Sequence, residues 1–189
     1  MRALILLALL ALAGCAAAPP MTYLHLAPVR GGVVAASAGK PVAVAKVNMP
    51  PSLDRLALTT ETSGSTLGID PNANWAAPLD GMASLVLAQN LASRLPGTTV
   101  VMPGEVIPRS GVRVVHVDVL RFLPVASPSG EHVALDAGWQ VLSPAGEVLR
   151  SRQSHFSVPT APGAAAEAAA MSTALGALSD RIAESLAGA

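Results

Sequence analysis

The chain has one cysteine, Cys15, which follows directly on an apolar run near the amino terminus. Residues 3–12 are uninterrupted apolar residues preceded by Arg2, and small residues separate them from the cysteine. This is the pattern of a secretory signal. Spanning a bilayer takes about 20 apolar residues, so the run is too short to be a membrane anchor. An exported domain with one cysteine forms no internal disulfide, and its stability must come from an apolar core.

The tetrapeptide Leu12-Ala13-Gly14-Cys15 resembles the bacterial lipobox, whose cysteine receives a thioether-linked lipid and becomes the first residue after cleavage. We therefore predict a lipoprotein signal peptide over residues 1–14, a lipidated tether over 15–22 and a single periplasmic domain over 23–189. The alternative is an ordinary signal followed by a chance cysteine, although a lone thiol would be reactive in an oxidising compartment. No later stretch reaches about 18 consecutive apolar residues, which favours anchoring through Cys15 over a membrane span.

The charge balance excludes one class of partner. The chain has 12 basic and 12 acidic residues, and cleavage would remove one of the basic residues, Arg2. No block of like charge occurs, and aromatic residues make up only 3% of the chain. A nucleic-acid-binding protein needs a basic face, usually with aromatic residues on which bases stack. We therefore expect no nucleic-acid partner.

Hydrophobic periodicity predicts both strands and helices. The strongest strand pattern covers 112–123, where Val115, Val117 and Val119 share one face. Strands at short spacing in the second half predict an antiparallel meander. The fold class is therefore α+β, with a mixed or antiparallel sheet packed by two helices. The predicted strands are 23–26, 42–49, 56–61, 66–69, 98–102, 112–123, 132–142 and 147–158; the helices are 78–95 and 164–186; a loop covers 27–40 and a turn 70–72.

The last predicted helix carries one apolar stripe, which has two interpretations. Packing on the sheet is one, and an interfacial membrane helix is the other. An interfacial helix usually has a basic polar face, whereas this one carries Asp180, Arg181 and Glu184. Packing on the sheet is therefore the prediction. The stripe consists of Met171, Leu175, Leu178, Ile182 and Leu186.

No catalytic or metal-binding constellation stands out. The four histidines are scattered singly and lack the close spacing of a helical zinc site. His116 and Asp118 share one strand face, which indicates a solvent-facing polar edge more readily than an acid–base or metal pair. No Gly-x-Ser-x-Gly turn occurs, and residues 64–68 lack the lysine of a phosphate-binding loop. We predict no catalytic residue, no metal and no cofactor.

Several stretches resemble the PqiC family of membrane-integrity transport lipoproteins, also described as ABC-type transport auxiliary lipoproteins. They occur in the same order over nearly the whole mature chain. They are Tyr23-Leu24-His25-Leu26 after the cysteine; Val42-Ala43-Val44, Met49-Pro50 and Leu53-Asp54-Arg55; Trp75-Ala76-Ala77-Pro78-Leu79 with Gln89-Asn90-Leu91; Asp118-Val119-Leu120-Arg121-Phe122 with Ala137-Gly138-Trp139-Gln140-Val141; and Leu178-Ser179-Asp180 with Ile182-Ala183.

The resemblance implies an outer-membrane lipoprotein that faces the periplasm. Its fold would be similar to the N-terminal domain of TolB, with two helices on a mixed sheet. It would work without catalysis beside an MCE-domain protein that bridges the envelope and carries lipid, and it could form homo-oligomeric rings. Two other functions stay open: an outer-membrane activator of a cell-wall synthase, and a hydrolase with a non-standard site.

The polar stretch 62–74 is our prediction for the partner contact, because loops on a rigid scaffold commonly carry binding. Leu67, Ile69 and Asn72 would make the contact, and Trp75 would anchor its base. Since Trp75 also stands beside a predicted helix start, it is interpreted first as a core residue and second as a partner contact.

Overall fold

The computed structural model describes residues 19–34, 40–106, 111–128 and 130–188. The predicted signal peptide and Cys15 lie outside these ranges. Within them the chain forms eight strands and two helices. The strands are β1 (Thr22–Leu24), β2 (Val42–Val44), β3 (Ala57–Ser63), β4 (Thr66–Trp75), β5 (Val100–Val101), β6 (Arg113–Ser127), β7 (Gly130–Leu142) and β8 (Val148–Pro159), and the helices are α1 (Leu79–Arg94) and α2 (Ala164–Ala187).

Strand β6, the longest of these, joins the two halves of the sheet. Along one edge it pairs with β7 in antiparallel register, and β7 pairs in turn with β8. Along its other edge it pairs in parallel with β2 near its start and with β3 near its end. The β3–β4 hairpin and β1 extend the sheet beyond β3, while β5 extends it beyond β2. Parallel and antiparallel pairs occur together, and the predicted α+β class with a mixed sheet is confirmed.

The valines of β6 lie on the face of the sheet that packs against the core. Val115, Val117 and Val119 are 0%, 1% and 4% exposed, as side-chain alternation along a strand requires. A register shift then leaves Leu120 unpaired and exposed before pairing resumes at Arg121. The extra residue resets the alternation, so that buried residues continue from Phe122 onward.

Both helices cover this core-facing side of the sheet. Helix α1 follows Pro78, whose missing N–H costs nothing at a helix start. Helix α2 packs mainly on α1, β7 and β8. All five residues of its apolar stripe are at most 2% exposed. The prediction that this helix packs on the sheet is therefore confirmed, and the interfacial interpretation is wrong.

The predicted turn at 70–72 is wrong, because these residues lie inside β4. The Asp70 carboxylate does accept the Asn72 backbone N–H at 2.8 Å, which is the local bond that a turn would use. The strand nevertheless continues, since Ala73 and its neighbours pair with β1. Pro71 falls between the paired positions Ile69 and Asn74, where the β3–β4 register shifts. Its missing donor therefore breaks no ladder bond there.

The strand directions place several turns together. Glu61 pairs in parallel with Val125, so the β3–β4 turn lies level with the β6–β7 turn. His132 pairs with Pro159, which brings the end of β8 and the β8–α2 connection (160–163) to the same place. We call these two turns and this connection the hairpin end. The opposite end holds the β7–β8 turn (143–147) and the carboxyl end of α2.

Candidate functional site

The hairpin end presents two apolar side chains to solvent. Leu67 is 43% exposed and Ile69 is 53% exposed, and both belong to β4. They lie opposite Glu61 and Thr59 on β3, so they share one face of the hairpin. Asn72 is half-buried on the same strand. The two strands predicted at 56–61 and 66–69 therefore form a hairpin, whose second strand continues to Trp75. Its exposed apolar side chains are called the Leu67–Ile69 pair.

Trp75 supports this hairpin from inside the core. Its residue is 3% exposed, and its backbone N–H donates to the Leu56 carbonyl at 2.6 Å. A buried indole presents no surface to another molecule. The first interpretation, a core residue at the base of the hairpin, therefore fits the structure, and direct contact through Trp75 does not.

The turns of the hairpin end carry no charge. Residues 62–69, 126–130 and 159–166 contain no aspartate, glutamate, lysine or arginine. The nearest basic side chain, Arg121, is paired, with its Nη2 at 2.7 Å from Glu61 Oε1. The turns are therefore free of charged residues and include two exposed aliphatic side chains, while Glu61, Asp70 and Glu131 flank them and are partly buried.

Acidic groups lie just behind this surface. Glu167, in the first turn of α2, is only 9% exposed. Burial raises the pKa of its carboxyl, and the negative charges of Glu131 and Asp70 raise it further. The folded chain therefore holds a proton on Glu167 more tightly than the unfolded chain does.

Glu167→Gln is expected to stabilise the protein near neutral pH and to have little effect near pH 4. Stability from a raised carboxyl pKa is present below the ordinary value of 4.5 and is lost as the pH rises through the folded value. Thermal melting of both proteins between pH 4 and pH 8 measures the difference. Glu147→Gln, at an exposed turn residue, is the control and should follow the wild type. If the melting temperatures of Glu167→Gln and wild type differ by the same amount at every pH, the prediction is contradicted.

The opposite end is charged. A groove of about 640 Å³ lies there between β8 and α2. Arg150 donates to the Gly188 carbonyl at 3.3 Å at the end of α2, and Arg181 lies 3.6 Å from Glu184. Arg152 lines the same groove and is exposed. The two ends of the domain thus differ in where their charges lie: charged side chains line the groove at this end, whereas at the hairpin end they flank uncharged turns.

Residues 27–34, part of the predicted loop, form a strap across the two helices. The backbone N–H of Ala27 donates to Ser172 Oγ at 3.0 Å, and that of Val29 donates to Asn90 Oδ1 at 2.8 Å. Side chains from both helices therefore fix the chain directly after β1. The sequence analysis missed this role, because the partners are 145 and 61 residues away.

Arg94 of α1 bonds to both the strap and α2, and the sequence analysis did not predict this role. Its side chain is 1% exposed and forms an ion pair with Asp180 of α2. Its guanidinium also donates to the carbonyls of Val29 at 2.9 Å and Gly176 at 3.1 Å. One signal in the sequence was available, since a glycine inside a predicted helix, here Gly176, indicates a close approach.

The remaining polar candidates form pairs and no larger cluster. Asp118 accepts a hydrogen bond from Asn48 Nδ2 at 2.7 Å in an exposed position. His155 Nδ1 lies 2.9 Å from Asp136 Oδ1 on the sheet surface. Among the described residues, no three histidine, cysteine, aspartate or glutamate side chains are placed to hold a metal ion.

In the described ranges, neither helix is both long enough and apolar enough to cross a bilayer.

The domain belongs to the α+β class, with two helices covering a mixed sheet. A lipobox-like cysteine precedes it in the sequence, and the combination is typical of a lipoprotein. The family model for ABC-type transport auxiliary lipoprotein components matches residues 24–183. The chain therefore belongs to this family, which confirms the family recognised from its sequence. The family is described as an auxiliary lipoprotein component of ABC-type transport.

Two solved structures show the same fold. A crystal structure of an uncharacterised protein has a TM-score of 0.71 at 22% identity, covering 87% of this chain and 97% of that one. A protein from Xanthomonas campestris, assigned to family DUF330, has a TM-score of 0.72 at 19% identity, covering 86% of this chain and 93% of that one. Among curated proteins, none matches.

Proposed function

We propose that this protein is a non-enzymatic outer-membrane lipoprotein subunit of an MCE/ABC-type intermembrane lipid transport system. The lipid on Cys15 would hold the domain on the membrane, and the domain would dock the envelope-spanning MCE-domain partner. The observation that carries the proposal is the family match, which begins at residue 24 and so leaves a short tether after Cys15. A domain on such a tether stays close to its membrane, where the tip of a bridging protein would arrive.

Cys15→Ser is expected to abolish lipidation and to release the protein from the outer membrane or leave it unprocessed. A single acyl chain binds membranes only marginally, so stable anchoring requires the several chains that a lipoprotein cysteine carries. Incorporation of labelled palmitate and the distribution between membrane fractions measure both effects. Ala17→Ser keeps the cysteine and is the control. A Cys15→Ser protein that still incorporates palmitate and stays with outer membranes would disprove the anchor.

Partner capture tests the transport role. The lipidated full-length protein, purified with a carboxyl-terminal tag from solubilised envelopes, should bring down an MCE-domain protein. Recovery of a penicillin-binding protein instead would support the alternative, an activator of a cell-wall synthase. Recovery of neither would remove the docking proposal. The mass of the lipidated protein in detergent tests the proposed ring, because a monomer would exclude it.

A further inference from the structure

We infer that the hairpin end lies against the membrane that holds Cys15, with the Leu67–Ile69 pair in contact with the lipid surface. The inference rests on the proposed lipidation of Cys15 and adds to it the orientation of the domain and the surface that touches lipid. It also changes the occupant predicted for Leu67 and Ile69 from a partner protein to the bilayer. Four observations carry it: the direction of β1, the length of the tether in the sequence, the absence of charged residues from the turns of the hairpin end and the exposed apolar pair.

The direction of β1 shows from which side the chain enters the fold. Strand β1 runs parallel to β4, with Thr22 opposite Ala73 and Leu24 opposite Trp75. Strand β4 runs away from the β3–β4 turn, so a chain followed backward from Thr22 travels toward that turn. The chain therefore enters β1 from the side of the hairpin end and not from the side of the opposite end.

The length of the tether limits the distance between membrane and hairpin. Seven peptide units separate Thr22 from Cys15, and seven also separate Ala73 from Thr66 at the turn. A fully extended tether reaches at most about 25 Å, and the rise from Ala73 to Thr66 is smaller than the about 23 Å of a regular strand because the β3–β4 register shifts around Pro71. Cys15 can therefore reach the level of the β3–β4 turn. A lipid that is attached to Cys15 at that level and embedded in the bilayer would bring the β3–β4 turn to the bilayer surface.

The chemistry of the hairpin end suits this position. Its turns carry no charged residue, the flanking carboxylates Glu61, Asp70 and Glu131 are partly buried, and the Leu67–Ile69 pair adds aliphatic side chains that are about half exposed. Apolar side chains are stabilised at the boundary between headgroups and acyl chains, whereas charged groups prefer water. The opposite end, with Glu147, Arg150 and Arg181, would face the aqueous side. The exposed pair therefore lies on the end that the tether brings to lipid.

A fluorescent label at each end tests the orientation. Once Cys15 is lipidated the chain has no free thiol, so Ser65→Cys labels the β3–β4 turn and Ala145→Cys labels the opposite end, both at exposed positions. The lipidated full-length proteins are reconstituted into vesicles of phosphatidylethanolamine and phosphatidylglycerol that contain a headgroup nitroxide lipid. We expect strong quenching at position 65 and none at position 145. Equal quenching, or stronger quenching at position 145, would overturn the inference.

Paired substitutions test the apolar pair itself. Leu67→Ser with Ile69→Ser, in the Ser65→Cys background, should reduce the quenching. Val148→Ser with Leu149→Ser removes two aliphatic side chains at the opposite end, 56% and 36% exposed, and should leave it unchanged. Unchanged quenching in the first variant, with loss of MCE-protein capture, would assign the pair to a partner and overturn lipid contact. If the purified protein carries no lipid, the anchor proposal is wrong. If the protein is lipidated and bound to vesicles but the label at position 65 is not quenched, only the present inference is wrong.

Discussion

Leu178→Asp should lower the free energy of unfolding by about 5 kcal/mol, because it places a carboxylate with no partner in the core. Leu178 is 0% exposed and lies in the middle of the α2 stripe that packs on the sheet. Small domains have total stabilities of about 5–15 kcal/mol, so a loss of this size removes much or all of the folded population. Urea denaturation and the yield of soluble protein measure the effect.

Two controls separate burial from other consequences of the change. Leu85→Asp makes the same replacement on α1, where the leucine is 42% exposed, and should cost less than about 1 kcal/mol. Leu178→Met keeps the volume and should cost less than about 1.5 kcal/mol. A Leu178→Asp protein that denatures like the Leu85→Asp protein would show that α2 does not pack on the sheet as described.

The helical and strand periodicities predicted the core well, because they report burial directly. The α2 stripe repeats at helical spacing and every member is buried, and the β6 valines alternate and are buried in the same way. Strand limits were less accurate where local signals compete with pairing. The sequence places the end of β6 before Pro124, yet β6 continues through Pro124, opposite Val133, to Ser127. Pairing with β7 overrides the local preference there.

The candidate surface was only partly predictable. The sequence predicted a strand at 66–69, which holds Leu67 and Ile69, and marked 62–74 for the partner contact. It did not show which end of the domain they occupy, because that depends on the parallel pairing of β1 with β4. Those strands are about 50 residues apart in sequence, and no local pattern encodes their pairing. The strap could not be predicted for the same reason, since the side chains that bind it, Asn90 and Ser172, belong to helices distant in sequence.

Gly31→Ala should destabilise the domain by about 3 kcal/mol through overpacking and loss of charged hydrogen bonds. A Cβ on Gly31 would lie 2.4 Å from Arg94 Cζ and from Asp180 Oδ1. The φ angle of Gly31 is not in the left-handed region, so the residue must be glycine for lack of space and not for backbone conformation. The substitution therefore acts on the ion pair between the helices.

Gly32→Ala is a matched control one residue away, because a Cβ there meets nothing within 4 Å. Because alanine restricts the unfolded chain more than glycine does, Gly32→Ala should leave the free energy of unfolding unchanged or raise it by up to about 1 kcal/mol. Urea denaturation of both variants and the wild type gives the comparison. Arg94 cannot move aside without losing its bonds to the Val29 and Gly176 carbonyls, which would leave buried acceptors unpaired. Equal stability of the Gly31→Ala and Gly32→Ala proteins would therefore mean that the strap does not lie against Arg94.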